Sequence, residues 1–500
     1  MRAISSQTVN ASNKSTKLYG RAVQVARPFL RPTLAPLTLQ GYLMPNFQGR
    51  RRMPQPLDAL TQSLLSAAKR AGADAADAMA VQGTSISIDV RSGALEHAER
   101  SEGIDIGLRV FVGQRIANVS ASDTSSRTID EMAQRAVAMA QEAPEDPYAG
   151  LADPSQLITE WDIDALELHD PTPEPDPEVL QKDAAEAEAA ASAIKGITQV
   201  QSATAAYGAR QIHLAASNGF SGGYARTDRA LSCVAIAGTG TGMERDYSGD
   251  SRIFQADLRD AGDIGREAAE RALARMDARK PPTGSYPVLF DERVSSTLIG
   301  HLLAAVNGAS VGRGATWLRN ALGEQVLPAN LSVIEDPHRP RTGASRPFDA
   351  EGLPTTKRAI VENGILTGWT LDLANGRKLG MASTGNAARG TASGPSPSVW
   401  NTALTQGDAT KADLIRDMGT GLWVTSMIGS TINPNTGDYS RGAAGLWVEN
   451  GEVQYAVNEC TIAGNLRQML LSILPANDAR PHLSRVVPSL LVEGMTLAGE

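Results

Sequence analysis

Few residues in this sequence could do nucleophilic or metal chemistry. Six histidines stand at His97, His169, His213, His301, His338 and His482, and two cysteines at Cys233 and Cys460. Zinc hydrolysis needs at least three ligands, usually two histidines on one helical face and a third from elsewhere. No two of these histidines are one helical turn apart, which favours separate surface or hydrogen-bonded roles. Cys233 falls in an apolar strand-like run, where a free thiol behaves as a small hydrophobe. Cys460, between Glu459 and Thr461, reads as the better exposed thiol, yet no basic neighbour lowers its pKa. The spacing assembles no metal site.

Two glycine-rich segments resemble functional motifs. Gly219–Phe220–Ser221–Gly222–Gly223 matches Gly-x-Ser-x-Gly, but a nucleophile elbow needs a helix after the serine. Tyr224 to Ile236 reads as strand instead, so a turn is expected and Ser221 is not the expected nucleophile. Gly238–Thr239–Gly240–Thr241–Gly242 lacks the spacing of a dinucleotide fingerprint, and no Walker-type loop occurs. A loop or bulge is the expectation there.

The elements that would position any site follow from periodicity. A chain of 500 residues with 42% apolar content predicts two domains with packed cores. Leu57, Leu60, Leu64, Leu65 and Ala68 predict a helix stopped at Gly72. Ile86, Ile88 and Val90, then Ile104 to Val110, then Arg115 to Val119 alternate as strands. A helix follows through Ile129 to Met139, so this region reads as an α+β layer with contiguous strands. A Pro- and acid-rich stretch near 143–177 reads as a linker or surface loop. Beyond it come a helix over Val179 to Ile194, a hairpin at Asn218–Gly219, a strand over Ala230 to Ile236 and a helix over Ile264 to Met276. No repeat of fixed period is evident. Pro281–Pro282 marks a boundary, after which Pro287 to Phe290 feeds a helix at Val294 to Ala305 and short strands dominate. The expected organisation is an α+β region over 53–280 and a β-rich domain over 281–500.

Residues 1–52 are basic, and no acid precedes Asp58. Such composition fits a transit segment, but an over-extended gene start with Met53 as initiator is preferred. No apolar run is long enough to span a bilayer, which predicts no membrane partner. Two cysteines exclude a disulfide framework and suit the cytoplasm. A net charge of −8 repels phosphate backbones, so direct nucleic-acid binding is not expected.

The C-terminal third carries several ordered motifs. They include Asn363–Gly364–Ile365–Leu366–Thr367–Gly368–Trp369, Ser383–Thr384–Gly385–Asn386–Ala387, and Asn433–Pro434–Asn435–Thr436–Gly437–Asp438 with Tyr439–Ser440–Arg441–Gly442. Asn458–Glu459–Cys460–Thr461–Ile462–Ala463–Gly464–Asn465 completes the series. Together they resemble the TldD/PmbA family, and in detail its PmbA (TldE) branch, from about Leu57 onward. The resemblance implies one subunit of a two-protein metalloprotease acting on unfolded or modified peptides. In that family the TldD-type subunit holds zinc through a His-Glu-x-x-x-His helix and a later cysteine.

By the same resemblance, Glu292 stands at the family's catalytic glutamate. Asp291 and Ser296 replace the zinc histidines, and no cysteine lies near Ala476–Asn477–Asp478. The resemblance therefore implies no metal or other cofactor in this chain, zinc in a TldD-type partner, and a hetero-oligomer. A homodimer in isolation is also consistent with it. Glu292 becomes a remnant at the helix start, with scaffold and peptide-chamber surface as the chain's contribution. Two alternatives stand beside this reading: a self-sufficient hydrolase using Ser221 or Cys460, and a non-enzymatic modulator of DNA topoisomerase action.

Overall fold

The structure, a computed structural model, describes residues 56–500, which belong to one unit. The basic extension 1–52 and its expected initiator Met53 lie outside the described residues. Helix α1 (Leu57–Ala71) buries Leu57, Leu60, Leu64, Ala67 and Ala68 on one face. It ends at Gly72, whose φ of 99° is the left-handed conformation that glycine adopts without steric cost.

Strands β1 (Ala75–Arg91), β2 (Ala94–Val112) and β3 (Arg115–Ala121) follow, then helix α2 (Ser126–Glu142). The same order then recurs: α3 (Pro177–Ser192), β4 (Ile197–Ala216), β5 (Ser221–Ala237), β6 (Glu244–Arg252) and α4 (Ala261–Leu273). All six strands form one antiparallel sheet in the order β3-β2-β1-β4-β5-β6. The two halves therefore meet at the β1–β4 pair, which runs from Asp77↔Ala216 to Val90↔Ala203.

Period-two alternation puts the even-numbered residues of β1 on one face. Ala76, Ala78 and Ala80 pack in the core of α1 and α2, while Ile86, Ile88 and Val90 pack in that of α3 and α4. One long strand thus serves two helix pairs. The topological repeat escapes a search for a fixed sequence period because it lies in element order and burial.

The Pro- and acid-rich stretch is a strap rather than a free tether. Arg377 donates to the carbonyls of Tyr148, Gly150 and Leu151, and Ile158 N–H donates to Gly352 O at 3.0 Å. Trp161 packs edge-on against Phe348, which packs edge-on against Phe220 at the β4–β5 turn.

In the C-terminal region β7 (Gly284–Phe290) lies between the parallel strand Gly421–Ile432 and the antiparallel strand Leu490–Ala498. Strands Asp438–Glu449 and Glu452–Asn465 continue the sheet. Thr461 to Ala463 then pair back onto Thr496 to Ala498, so the sheet closes on itself. Closure consumes edges that an open sheet would leave for other chains. An α+β layer followed by a β-rich domain is the observed architecture.

The first sheet meets the C-terminal region through buried charge. Asp77 accepts from Arg109 Nε at 2.7 Å and is paired with Arg389 from the C-terminal region. Gly107 makes the approach feasible, since a methyl group there would overlap the Thr391 carbonyl. Near this contact Asp349, Glu351 and Asp372 are all buried. Burial, followed by the neighbouring Asp349 charge, pushes the Glu351 carboxyl up to about 8.

A raised folded-state pKa means that the native protein holds this proton more tightly than the unfolded chain. The stability it contributes is complete below the ordinary carboxylate range, near pH ~4, and is lost as pH rises through about 8. Glu351→Gln, compared with the unsubstituted chain in thermal melts at several pH values, is expected to lose less stability on the alkaline side. Parallel pH profiles for the two proteins would contradict this assignment.

Candidate functional site

β7 ends at Phe290, and Asp291 caps the helix that follows, α5 (Glu292–Ala305), by accepting from Arg293 N–H at 3.2 Å. Capping by aspartate suits a helix N-terminus, because the carboxylate satisfies an orphan N–H and meets the positive dipole end. Asp291 is only 3% exposed, so its charge requires further partners. Its Oδ2 lies 3.1 Å from both Lys411 Nζ and Trp423 Nε1, and its Oδ1 lies 3.1 Å from Arg293 Nε.

These contacts belong to a longer chain of alternating charge. Glu244 pairs with Arg275 at 3.4 Å, and Arg275 with Asp246 at 3.8 Å. Asp246 pairs with Arg293 at 3.2 Å, and Arg293 with Asp291. Lys411 then bridges Asp291 to Asp478, at 3.1 and 3.6 Å. The chain runs from β6 and the turn after α4 through the start of α5 to the loop after Pro475. It borders a cavity of about 290 Å³, lined also by Glu267, Arg271 and Glu292. Gly445 is required in the wall, since a methyl group there would overlap the Trp423 carbonyl.

The two carboxyls at the head of α5 differ in environment. Burial opposes the charge of Asp291, but Lys411 and Arg293 outweigh it and hold its carboxyl below the usual range. Burial raises that of Glu292 despite the opposing pull of Arg480. Arg480 Nε lies 2.7 Å from Glu292 Oε2, an ion pair without the alignment of a hydrogen bond. Ser296 is half-buried on α5, one turn beyond Glu292. Among the described residues no group of three or more His, Cys, Asp and Glu side chains is placed to hold a metal ion.

The other candidates lie apart. Ser221 opens β5 directly after the turn, and no helix follows it. Its hydroxyl is 3.5 Å from His213 Nε2, a limiting distance, and His213 Nδ1 meets Thr61 Oγ1 rather than a carboxylate. Cys233 is fully buried, with its thiol pushed up to about 12. Cys460 corrects the expectation of exposure. It is buried, its thiol donates to Ala443 O at 3.2 Å, and burial pushes its pKa up to about 11. The cause is a bulge: Glu459 takes a φ of 51° and the pairing register shifts between Ala443 and Gly445, turning Cys460 inward. His338 Nε2 meets Thr355 Oγ1 at 3.0 Å, and His482 lies 3.6 Å from Asp250.

Sequence reasoning missed Lys411, Arg480, Arg293 and Asp246. Arg480 and Asp478 lie in or beside the segment singled out for a third ligand, which was the available signal. Nothing in the local pattern at Lys411 or Asp246 distinguishes either from a solvated charge.

Family profiles of one metallopeptidase class match the chain in three parts. The profile of the PmbA/TldA metallopeptidase domain 1 matches residues 76–140, that of the central domain 170–276, and that of the C-terminal domain 283–499. Metalloprotease PmbA of Escherichia coli O157:H7 is 36% identical over 430 residues, covering 85% of this chain and 93% of the relative. The PmbA homolog of Haemophilus influenzae is 36% identical over 435 residues, covering 86% and 94%. A crystal structure from Bacteroides thetaiotaomicron, described as a modulator of DNA gyrase, superposes with a TM-score of 0.82 at 26% identity, covering 88% of this chain and 98% of its own. TldE from Thermococcus kodakarensis shares the fold, with a TM-score of 0.76 at 20% identity, covering 88% and 100%. The chain belongs to the TldD/PmbA family, in its PmbA branch.

Removing the charge at the head of α5 tests its structural weight. Asp291→Ala deletes the cap and leaves Lys411 and Arg293 without their shared carboxylate, so a loss of about 3–5 kcal/mol is expected in urea denaturation. Because the folded pKa of Asp291 is lowered, its contribution is complete above the ordinary carboxylate range and is lost as pH falls through the folded value. The stability gap between the two proteins should therefore narrow in acid. A gap that is small or independent of pH would contradict the charge chain.

Proposed function

We propose that this chain is the metal-free, PmbA/TldE-type subunit of a two-protein metalloprotease that acts in the cytoplasm on unfolded or modified peptides. A TldD-type protein carries the zinc in this reading. The observation that carries it is the pair of cations at the head of α5. Lys411 faces Asp291 and Arg480 faces Glu292.

A catalytic zinc needs three preformed ligands to bring its bound water to a pKa of about 7. This donor set does not fit such an ion. Asp291 and Ser296 supply a committed carboxylate and a hydroxyl, and serine is a feeble zinc ligand. A divalent ion brought here would meet an ammonium and a guanidinium at close range. Without metal-bound water Glu292 has nothing to deprotonate, so it serves as a helix-start anion held by Arg480.

The chain's part is then to hold peptide. β6 is the outer strand of the first sheet and reaches the cavity through Asp246. An outer strand binds extended peptides through main-chain hydrogen bonds with little regard for sequence. β6 is the edge strand beside the cavity, and at Tyr247 its main chain is held by the Asp246 carboxylate and the Arg271 guanidinium. Among the described residues no helix is long and apolar enough to cross a membrane. The gyrase-modulator description of the Bacteroides structure fits an association through protein, since a net charge of −8 disfavours duplex DNA.

The test is peptide hydrolysis by the purified chain, by a TldD-type protein and by their mixture, each with and without chelator. Chelator-sensitive cleavage is expected when the TldD-type protein is present, fastest in the mixture, and none from this chain alone. Chelator-sensitive turnover by the solitary chain would overturn the proposal. Loss of turnover on Ser221→Ala would instead favour the independent hydrolase.

A further inference from the structure

A second cavity, of about 250 Å³, lies between the first sheet and the C-terminal loops, and its electrostatics are opposite in kind. Arg210, Arg226, Arg252, Arg341 and Arg346 line it together with His482. Three of these arginines have acidic partners. Arg210 is 3.6 Å from Asp228, and Arg252 is 2.8 Å from Asp250. Arg341 takes both Glu167, at 3.0 Å, and Asp257, at 3.1 Å.

Arg226 and Arg346 have no carboxylate partner among the described residues. Arg226 donates to the carbonyls of Ser345 and Gly343 and also interacts with the Tyr224 hydroxyl. Arg346 donates to Tyr224 Oη at 2.9 Å and stacks over Trp400 at 4.7 Å, while its buried Nε has no partner. Burial, and after it the positive charge of Arg346 and Arg210, depresses the pKa of Arg226 against the opposing pull of Tyr224. The first cavity neutralises itself; this one does not.

The two cavities share a strand. Asp246 lines the first and Arg252 the second, about 20 Å apart along β6 at the rise of an extended strand, while Arg210 and Arg226 stand on the opposite face of the sheet, that of Ser251, where alternate side chains of an added strand would fall. A peptide lying along β6 would reach both with about six residues. Guanidinium forks match a planar carboxylate, and Ile212 and Ile253 offer apolar wall for a methylene stem.

We propose that this arginine-lined cavity binds the side-chain carboxylate of a peptide held along β6, so that the chain selects acidic peptides. The inference rests on the peptide-holding role proposed above and adds a substrate class to it.

The experiment is fluorescence anisotropy of the full chain with an unstructured fluorescein-labelled peptide rich in Glu, and with its Gln twin. The Glu peptide is expected to bind about tenfold more tightly, with the preference shrinking as salt is added. Arg346→Met should abolish most of the preference. Arg210→Gln, on a more exposed side chain, should weaken it in a protein whose folding is not at risk, and thermal melts confirm that both variants are folded. Equal affinity for the twins, or a preference untouched in both folded variants, would overturn the proposal. So would displacement of both twins alike by inorganic phosphate, which would mark a site for small oxyanions. A Glu preference in a chain that gives no hydrolysis with a TldD-type partner would leave this cavity standing and remove the protease reading.

Discussion

A buried carboxylate at the head of a helix must be answered by positive charge, and Asp291 is answered from three directions. The cap alone satisfies one N–H; Arg293 and Lys411 supply the counter-charge, and Trp423 the remaining donor. Each cation is shared with a further acid, so the demand of one side chain propagates from β6 to the loop at Asp478. Buried ion pairs rarely add net stability over apolar packing, because desolvation consumes the Coulomb gain. Their consequence here is positional. They fix α5, β6 and the strand bearing Trp423 around one cavity.

The rest of the architecture delivers those elements to that place. One sheet of six long strands carries both helix pairs on one face and ends in β6, the strand that enters the charge chain. The strap over 143–176 and the Asp77 contact tie this sheet to the C-terminal region. Gly107 and Gly445 matter because main chain from another segment occupies the space of their missing side chains. This is the physical content of a composition with 47 glycines and only 4% aromatic residues.

Much of the layer order was legible in the residues. Leu57 to Ala68 with Gly72 marks α1 and its stop, and Asn218–Gly219 marks the β4–β5 turn, because these signals are local. Strand length was not legible: Ile86 to Val90 announces five residues of a strand that runs from Ala75 to Arg91. The half-buried middle of β1 carries Gln82, Gly83 and Thr84, which alternate weakly. The orientation of Cys460 was misread because a bulge at Glu459 reverses the side on which it falls. At the site Asp291, Glu292 and Ser296 were visible through the resemblance of the α5 segment, whereas Lys411 is 120 residues from Asp291 in sequence. A long-range ion pair leaves no periodic trace.

Two neighbouring cavities thus divide the chemistry, one with its charges matched internally and one with guanidinium charge to spare. The central claim is that Lys411 and Arg480 stand where a metal would need ligands. Calorimetric titration of zinc into the full chain near neutral pH addresses it most directly. The account predicts no stoichiometric binding, in the unsubstituted chain or after Glu292→Gln. One-to-one zinc uptake that disappears on Glu292→Gln would contradict it, because the head of α5 would then be a working ligand set.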